Sequence, residues 1–102
     1  MTKYIQAKNK IELLKKANLD EYANILNEIH KLTYDILFLA SEPDVGEKRK
    51  GIIYNICKFS AIIQKMVEEN KTSEEEICDW SVHLFDRKRQ LDKLDKEKDG
   101  EL

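Results

Sequence analysis

Apolar residues recur along this chain at spacings of three and four residues, and no stretch alternates apolar with polar residues as a half-buried strand does. Four segments show the helical spacing, and short polar stretches separate them. The longest of these stretches, SEPDVGEKRKG, carries the single proline. The pattern predicts an all-α fold, a small antiparallel bundle of four helices. The alternative is three long helices plus a loosely packed N-terminal helix, because the first segment has the weakest apolar stripe.

The predicted helices cover residues 2–17, 18–40, 45–70 and 73–96. Each of the last three begins near a polar residue that is followed by Glu three positions later. This is the pattern of a capping box, in which the two side chains bond free amides at the start of a helix. The pairs are Asn18 with Glu21, Asp44 with Glu47, and Thr72 with Glu75. We interpret residues 1–96 as one helical domain and residues 97–102 as a polar C-terminal tail.

The fourth segment has two apolar sides, and only one of them can face the bundle. The side predicted to face the core carries, at near-heptad spacing, Ile77, Trp80, Leu84, Leu91 and Leu94. The other side, about 100–140° around the helix, carries Cys78, Val82 and Phe85. An exposed stripe of this kind is unfavourable for solubility. We therefore expect it to be covered by the first helix, by a second copy of the chain or by a foreign helix.

The second and third segments also carry apolar residues away from their core-facing sides. These are Tyr34 and Phe38 on the second segment, and Tyr54 and Ile62 on the third. Because a helix in a bundle needs one apolar face, surplus apolar residues indicate contact with a partner. Together with the second side of the fourth segment, these residues are the predicted partner-binding surface.

The stretch ICDWSVHLFD places Cys78, Asp79, His83 and Asp86 within nine positions. Asp79, His83 and Asp86 fall on one face of a helix, where two carboxylates and an imidazole are suitable ligands for a divalent metal. That face lies away from the core-facing side, so we interpret it as solvated. Cys78 and His83 point in different directions, which argues against a nucleophile and its base. We predict no catalytic residue, no metal ligand and no cofactor.

The acidic run EEEICD introduces a resemblance to an enzyme family. Glu76 and Asp79 resemble the ExxD half of the magnesium site of all-α nucleotide pyrophosphohydrolases of the MazG type. No EExxE motif, which supplies the other half of that site, precedes them at a suitable spacing. Acidic residues in a first helical turn also complement the helix dipole. A metal-dependent nucleotide hydrolase is therefore the weaker of two alternative functions.

The other alternative is a nucleic-acid-binding regulator. The stretch EKRKG places Lys48, Arg49 and Lys50 near the start of the third helix, where free amides help to hold an anion. The composition of the whole chain does not favour this function. The net charge is -2, and 15 Lys are accompanied by only 3 Arg, whose planar fork best fits phosphates and base edges.

The favoured interpretation is a small, non-enzymatic protein-binding module that acts through helix–helix contacts. Its partner would be another protein, either a host factor or a second copy of the chain. Abundant Lys, Ile and Asn with little Arg indicate a low-GC bacterium, phage or plasmid, where small helical proteins serve as regulators, inhibitors or immunity proteins. Because the chain has no signal-peptide pattern and no run near the roughly 20 apolar residues of a membrane span, we expect a cytoplasmic protein.

Overall fold

A computed structural model of the chain describes residues 2–39 and 45–101, with side chains through residue 97. It consists of α1 (Lys3–Leu14), α2 (Leu19–Phe38), α3 (Glu47–Glu69) and α4 (Glu74–Glu101). The described residues contain no strand. The prediction of a small all-α helical bundle is confirmed.

Successive helices run antiparallel and form a closed ring around one core. The contacts that fix these directions are Lys3–Asp35 and Lys10–Glu28 between α1 and α2, and Tyr4–Asp95 and Lys15–Phe85 between α1 and α4. Each helix packs on its neighbours in the chain, and α1 packs on α4 to close the ring. The backbones of α1 and α4 approach each other less closely than those of the other neighbouring pairs. Long side chains bridge this wider seam.

The first helix is part of the bundle. Ala7, Ile11 and Leu14 on α1 are buried, so the alternative of a loosely packed N-terminal helix is wrong. The apolar stripe of α1 is weak because the helix buries about one residue per turn and also carries apolar residues on its exposed side. The helix ends at Leu14, three residues before the predicted end at Ala17.

The core is aliphatic, and the polar groups inside it are satisfied by hydrogen bonds. Its largest fully buried apolar side chains are Ile11, Leu14, Leu26, Ile29, Ile53, Ile56, Ile63, Leu84 and Leu91. Three buried hydroxyls, on Thr33, Ser60 and Ser81, donate to carbonyl oxygens three or four residues earlier in their own helices. Because these hydroxyls have partners, they add little of the cost that an unpaired buried polar group carries.

One of the three predicted capping boxes places its cap at the observed position. The Glu21 amide donates to the Asn18 side chain at 3.2 Å, which confirms Asn18 as the cap of α2. The cap of α4 lies one residue later than predicted, because the Glu76 amide donates to Ser73 Oγ and not to Thr72.

The N-terminus of α3 also differs from its predicted form. The residue before the helix is Gly46, which has a φ of 93° and makes no side-chain cap bond. A positive φ is strained for residues with a Cβ, so glycine suits this turn. Asp44, the predicted cap, lies outside the described residues. The other end of the chain continues further than predicted, since α4 reaches Glu101 and not Lys96.

Trp80 does not face the core, which corrects the predicted stripe of α4. Its side chain is 37% exposed, whereas Ile77 and Leu84 are buried. The core position between these two belongs to Ser81, whose hydroxyl lies 3.3 Å from the hydroxyl of Tyr22 on α2. A small serine lets the two helices approach closely. The spacing of apolar residues does not identify Ser81 as a core position, because serine is polar.

No helix among the described residues combines the length and the apolar character that a membrane span requires.

Candidate functional site

His83 lies in an aromatic cluster and not on a solvated acidic face, which corrects the prediction from its neighbours in sequence. Its ring stacks on Phe59 of α3 with centroids 4.7 Å apart and meets Trp80 edge-on at 5.6 Å. The Arg87 guanidinium lies over the Phe59 ring, 5.7 Å from its centre. The side chain of Asp79 is exposed. Packing of α4 against α3, which sequence spacing alone does not show, turns His83 towards this cluster.

No group of three or more His, Cys, Asp or Glu side chains among the described residues is arranged to hold a metal ion. Asp86 lies 3.7 Å from Arg89. We expect zinc or manganese to leave the melting temperature unchanged, because a ligand that binds only the folded state must raise it. A rise of several degrees that disappears in His83→Ala would contradict this expectation.

The second apolar side of α4 is only partly covered. Phe85 is half-buried against the core, and the Lys15 ammonium lies 5.4 Å from the centre of its ring. Cys78 is exposed, and Val82 is 48% exposed. The first helix runs antiparallel to α4 and ends at Leu14, near the level of Phe85. It therefore stops before the level of Val82 and Cys78. The first helix thus accounts for one of the three residues.

Three exposed aromatic residues lie on α2 and α3. Tyr34 and Phe38, one turn apart on α2, are 47% and 59% exposed, and their rings lie 4.8 Å apart. Tyr54 on α3 is 55% exposed. We call these three residues the aromatic patch. Leu39, which directly follows α2, adds another exposed apolar side chain.

One contact between α2 and α3 fixes the position of the aromatic patch. His30 Nδ1 lies 3.2 Å from the Cys57 carbonyl oxygen and 3.4 Å from Cys57 Sγ. From this contact Tyr34 lies one turn further along α2, and Tyr54 lies about one turn earlier on α3. Because the helices are antiparallel, both steps lead in the same direction along the seam, so the two tyrosines lie at a similar level of it. Ile62 is half-buried and lies on the other side of this contact.

No local pattern in the sequence indicates the pair formed by His30 and Cys57, which are 27 residues apart on two helices. The Cys57 side chain is buried at the seam. Backbone amides in the middle of a helix are occupied by helical hydrogen bonds, so none is available to stabilise an oxyanion beside the sulfur. The geometry therefore fits a packing contact between helices.

The three residues of the basic turn have different environments. Arg49 points towards α4, where its Nε and Nη2 lie 3.0 and 2.8 Å from Asp95 Oδ1. Lys48 is exposed and borders an open groove of about 400 Å³ between α3 and α4, floored by Ile52 and Leu94. Lys50 is half-buried. Binding of an anion at this turn stays a prediction. To contact the anion, Arg49 would have to break its ion pair with Asp95.

Asp95 is the centre of an ion-pair network that joins α1, α3 and α4. The Tyr4 hydroxyl donates to it at 2.8 Å, Lys8 Nζ lies at 2.8 Å, and Arg49 completes the set. Partial burial would raise the pKa of Asp95, but the hydrogen bonds from Lys8, Tyr4 and Arg49 outweigh it and hold the pKa below its ordinary value. Burial, reinforced by the hydrogen bond to Asp95, raises the pKa of Tyr4 to about 12.

The network extends along the same seam. Asp92 lies 2.7 Å from Lys8 Nζ and 2.6 Å from Lys88 Nζ, and Lys88 also reaches Glu12 at 2.9 Å. Burial acts to raise the pKa of Asp92, and the hydrogen bonds from the two lysines lower it overall. These contacts show which groups neutralise the basic charge of α1. It meets carboxylates of α4 and α2, and the network holds the bundle together without forming an open site.

Comparisons of the chain with protein-family models, with curated proteins and with solved structures find no match. Arguments about function therefore rest on the surface of the bundle itself.

Proposed function

We propose that this protein is a small binding module that acts by docking another protein on the aromatic patch. The observation that carries the proposal is the exposure of Tyr34, Phe38 and Tyr54, each about half open to solvent, at one seam. A large aromatic side chain presents roughly 150–250 Å², so the half-exposed patch offers about 300 Å² of apolar surface. That is the lower end of the range in which exposed patches on monomers are often functional.

Aromatic residues also suit this role energetically. Tyrosine and tryptophan are enriched among the residues that dominate binding energy, because a large rigid ring buries much area and loses little conformational freedom. The Tyr34 and Phe38 rings contact each other, which restricts them further before any partner arrives. A regulator, inhibitor or immunity protein that acts by binding another protein is compatible with this surface.

A capture experiment tests the proposal. The wild-type chain and the double variant Tyr34→Ser/Phe38→Ser are immobilised, and proteins retained from a low-GC bacterial lysate are quantified by mass spectrometry. We expect at least one protein to be retained by the wild type and depleted about tenfold or more by the variant, the usual effect of removing a dominant contact residue.

The control is Leu13→Ser, which removes an apolar side chain of similar exposure from α1. It should retain the same protein as the wild type. If every protein captured by the wild type is captured equally by Tyr34→Ser/Phe38→Ser, the aromatic patch is not the docking surface.

A further inference from the structure

We infer that the outer face of α3 pairs with the same face of a second copy of this chain, with the two helices antiparallel. The inference goes beyond the proposed function, since it concerns the association of the chain with itself. It follows from four residues of α3, which we call the α3 stripe: Glu47, Gly51, Tyr54 and Lys58.

The residues of the α3 stripe lie on one side of the helix and point away from the core. Their spacings of four, three and four residues return to the same side of a helix that turns by about 100° per residue. All four residues are exposed, whereas Ile53 and Ile56, which lie between them in the sequence, are buried. The α3 stripe is therefore an outer surface of the bundle, about 16 Å long from Glu47 to Lys58.

No contact within the described residues explains the glycine in this helix. Glycine in the interior of a helix lowers stability relative to alanine, because it loses more conformational freedom on folding. Gly51 lies in α3 without the positive φ of Gly46, and a Cβ built on it meets no atom of the described residues within 4 Å. The missing side chain leaves a gap on the outside of α3, where a ring from another molecule can approach the backbone.

The α3 stripe is complementary to itself when one copy is reversed. In an antiparallel pair with a two-fold axis between residues 52 and 53, Gly51 faces Tyr54 of the second copy, and Glu47 faces Lys58 of the second copy. The large ring covers the gap at the glycine, and opposite charges meet at both ends. Because the axis repeats every contact, the interface contains two ring–glycine contacts and two ion pairs.

The charged residues at the ends of the α3 stripe are available for these contacts. Within the described part of the chain, neither Glu47 nor Lys58 forms an ion pair. They are about 16 Å apart on one helix, too far to pair with each other. A parallel pair of helices would instead place like charges together at both ends, which opposes association. Charge therefore selects the antiparallel arrangement.

The α3 stripe shares only Tyr54 with the aromatic patch. Tyr34 and Phe38 belong to α2 and lie beside this contact, not within it. The variant Tyr34→Ser/Phe38→Ser, which tests the docking of another protein, should therefore leave self-association in place. The two surfaces can thus be tested separately.

Gly51→Gln tests the close approach of the two helices. Glutamine is a better helix former than glycine and has open space at this position, so the variant should melt at a higher temperature than the wild type. In sedimentation equilibrium the wild type should associate reversibly, with a Kd on the order of 10–100 µM for so small an interface. Gly51→Gln should remain a monomer at the same concentrations, because its side chain fills the gap that the tyrosine ring needs.

Exchanging the two charges tests the register. Glu47→Lys alone brings lysines together at both ends of the interface and should weaken association about fivefold or more. Glu47→Lys/Lys58→Glu restores opposite charges and should return the Kd to within about twofold of the wild type. Since the two positions do not interact within one copy, this recovery reports a contact between copies. The control Asp79→Lys makes the same charge change at an exposed position of α4 and should associate as the wild type does.

Three outcomes would overturn the inference. These are a wild type that stays monomeric at about 1 mM, association that persists in Gly51→Gln, and a double charge variant that associates no better than Glu47→Lys. A monomeric wild type whose capture of a lysate protein is lost in Gly51→Gln would assign the α3 stripe to a foreign partner and leave the proposed function intact. Self-association without any capture that depends on Tyr34 and Phe38 would support the dimer and remove the proposed function.

Discussion

Replacing Leu84 by Ala should lower the free energy of unfolding by about 2–5 kcal/mol, the usual cost of truncating a buried leucine and leaving a cavity. Leu84 is completely buried in the middle of α4, among core residues of the bundle. The packing on every side limits how far the cavity can collapse. Urea denaturation followed by circular dichroism measures the change.

The matched control for Leu84→Ala is Val82→Ala, two residues away on the same helix and 48% exposed. It should change the free energy of unfolding by less than about 0.5 kcal/mol, as surface substitutions usually do. Equal losses in the two variants would show that α4 turns a different face to the core.

Replacing Asp95 by Ala should cost about 1–3 kcal/mol at neutral pH, because Tyr4, Lys8 and Arg49 would all lose their shared acceptor. The cost is smaller than for a fully buried ion pair, since about a third of the Asp95 side chain is exposed and solvent screens the charges. Asp79→Ala is the control, because Asp79 is exposed on the same helix. A loss in Asp95→Ala no larger than in the control would contradict the network.

The network also predicts how stability depends on pH. Asp92 and Asp95 have lowered pKa values in the folded protein, so their stabilising effect is present above the unfolded pKa, near pH 4, and is lost as the pH falls through the folded values. Tyr4, with its pKa raised to about 12, stabilises the fold below its unfolded pKa of about 10 and loses that effect as the pH rises towards 12.

Melting temperatures recorded across this range should therefore be flat at intermediate pH and fall at both extremes. In Asp95→Ala the melting temperature should fall less steeply at both low and high pH. The variant lacks the Asp95 carboxyl, whose pKa is lowered, and the hydrogen bond that helps to raise the pKa of Tyr4. Identical pH profiles for the wild type and the variant would show that Asp95 does not link these groups.

The helices themselves could be predicted from the sequence because their determinants are local. Apolar residues at helical spacing marked each segment, and Asn18 caps α2 through the predicted side-chain bond. Where the prediction was wrong, a competing residue nearby was the reason. Ser73 caps α4 in place of Thr72, and Ser81 takes the core position that hydrophobicity assigned to Trp80.

The environments of side chains at the seams could not be predicted in the same way. His83 packs on Phe59, and Asp95 gathers groups from two other helices, because of how the helices are rotated and aligned. These contacts join residues far apart in sequence, and no local pattern encodes them.

The sequence identifies the apolar residues that lie off the core-facing sides of the helices. It does not show which of these predicted partner-binding residues are buried by a neighbouring helix. Phe85 is half-buried beneath the end of α1, and Ile62 is half-buried on α3. Tyr34, Phe38 and Tyr54 stay exposed and lie together only because α2 and α3 are antiparallel with His30 beside Cys57.

The measurement that tests the docking surface most directly is aromatic NMR on the isotopically labelled chain with and without a partner captured in a lysate. We expect the ring signals of Tyr34, Phe38 and Tyr54 to shift most on binding, while that of the buried Tyr22 stays in place. Shifts centred on Trp80, or on the groove between α3 and α4, with the three rings unchanged, would contradict docking at the aromatic patch.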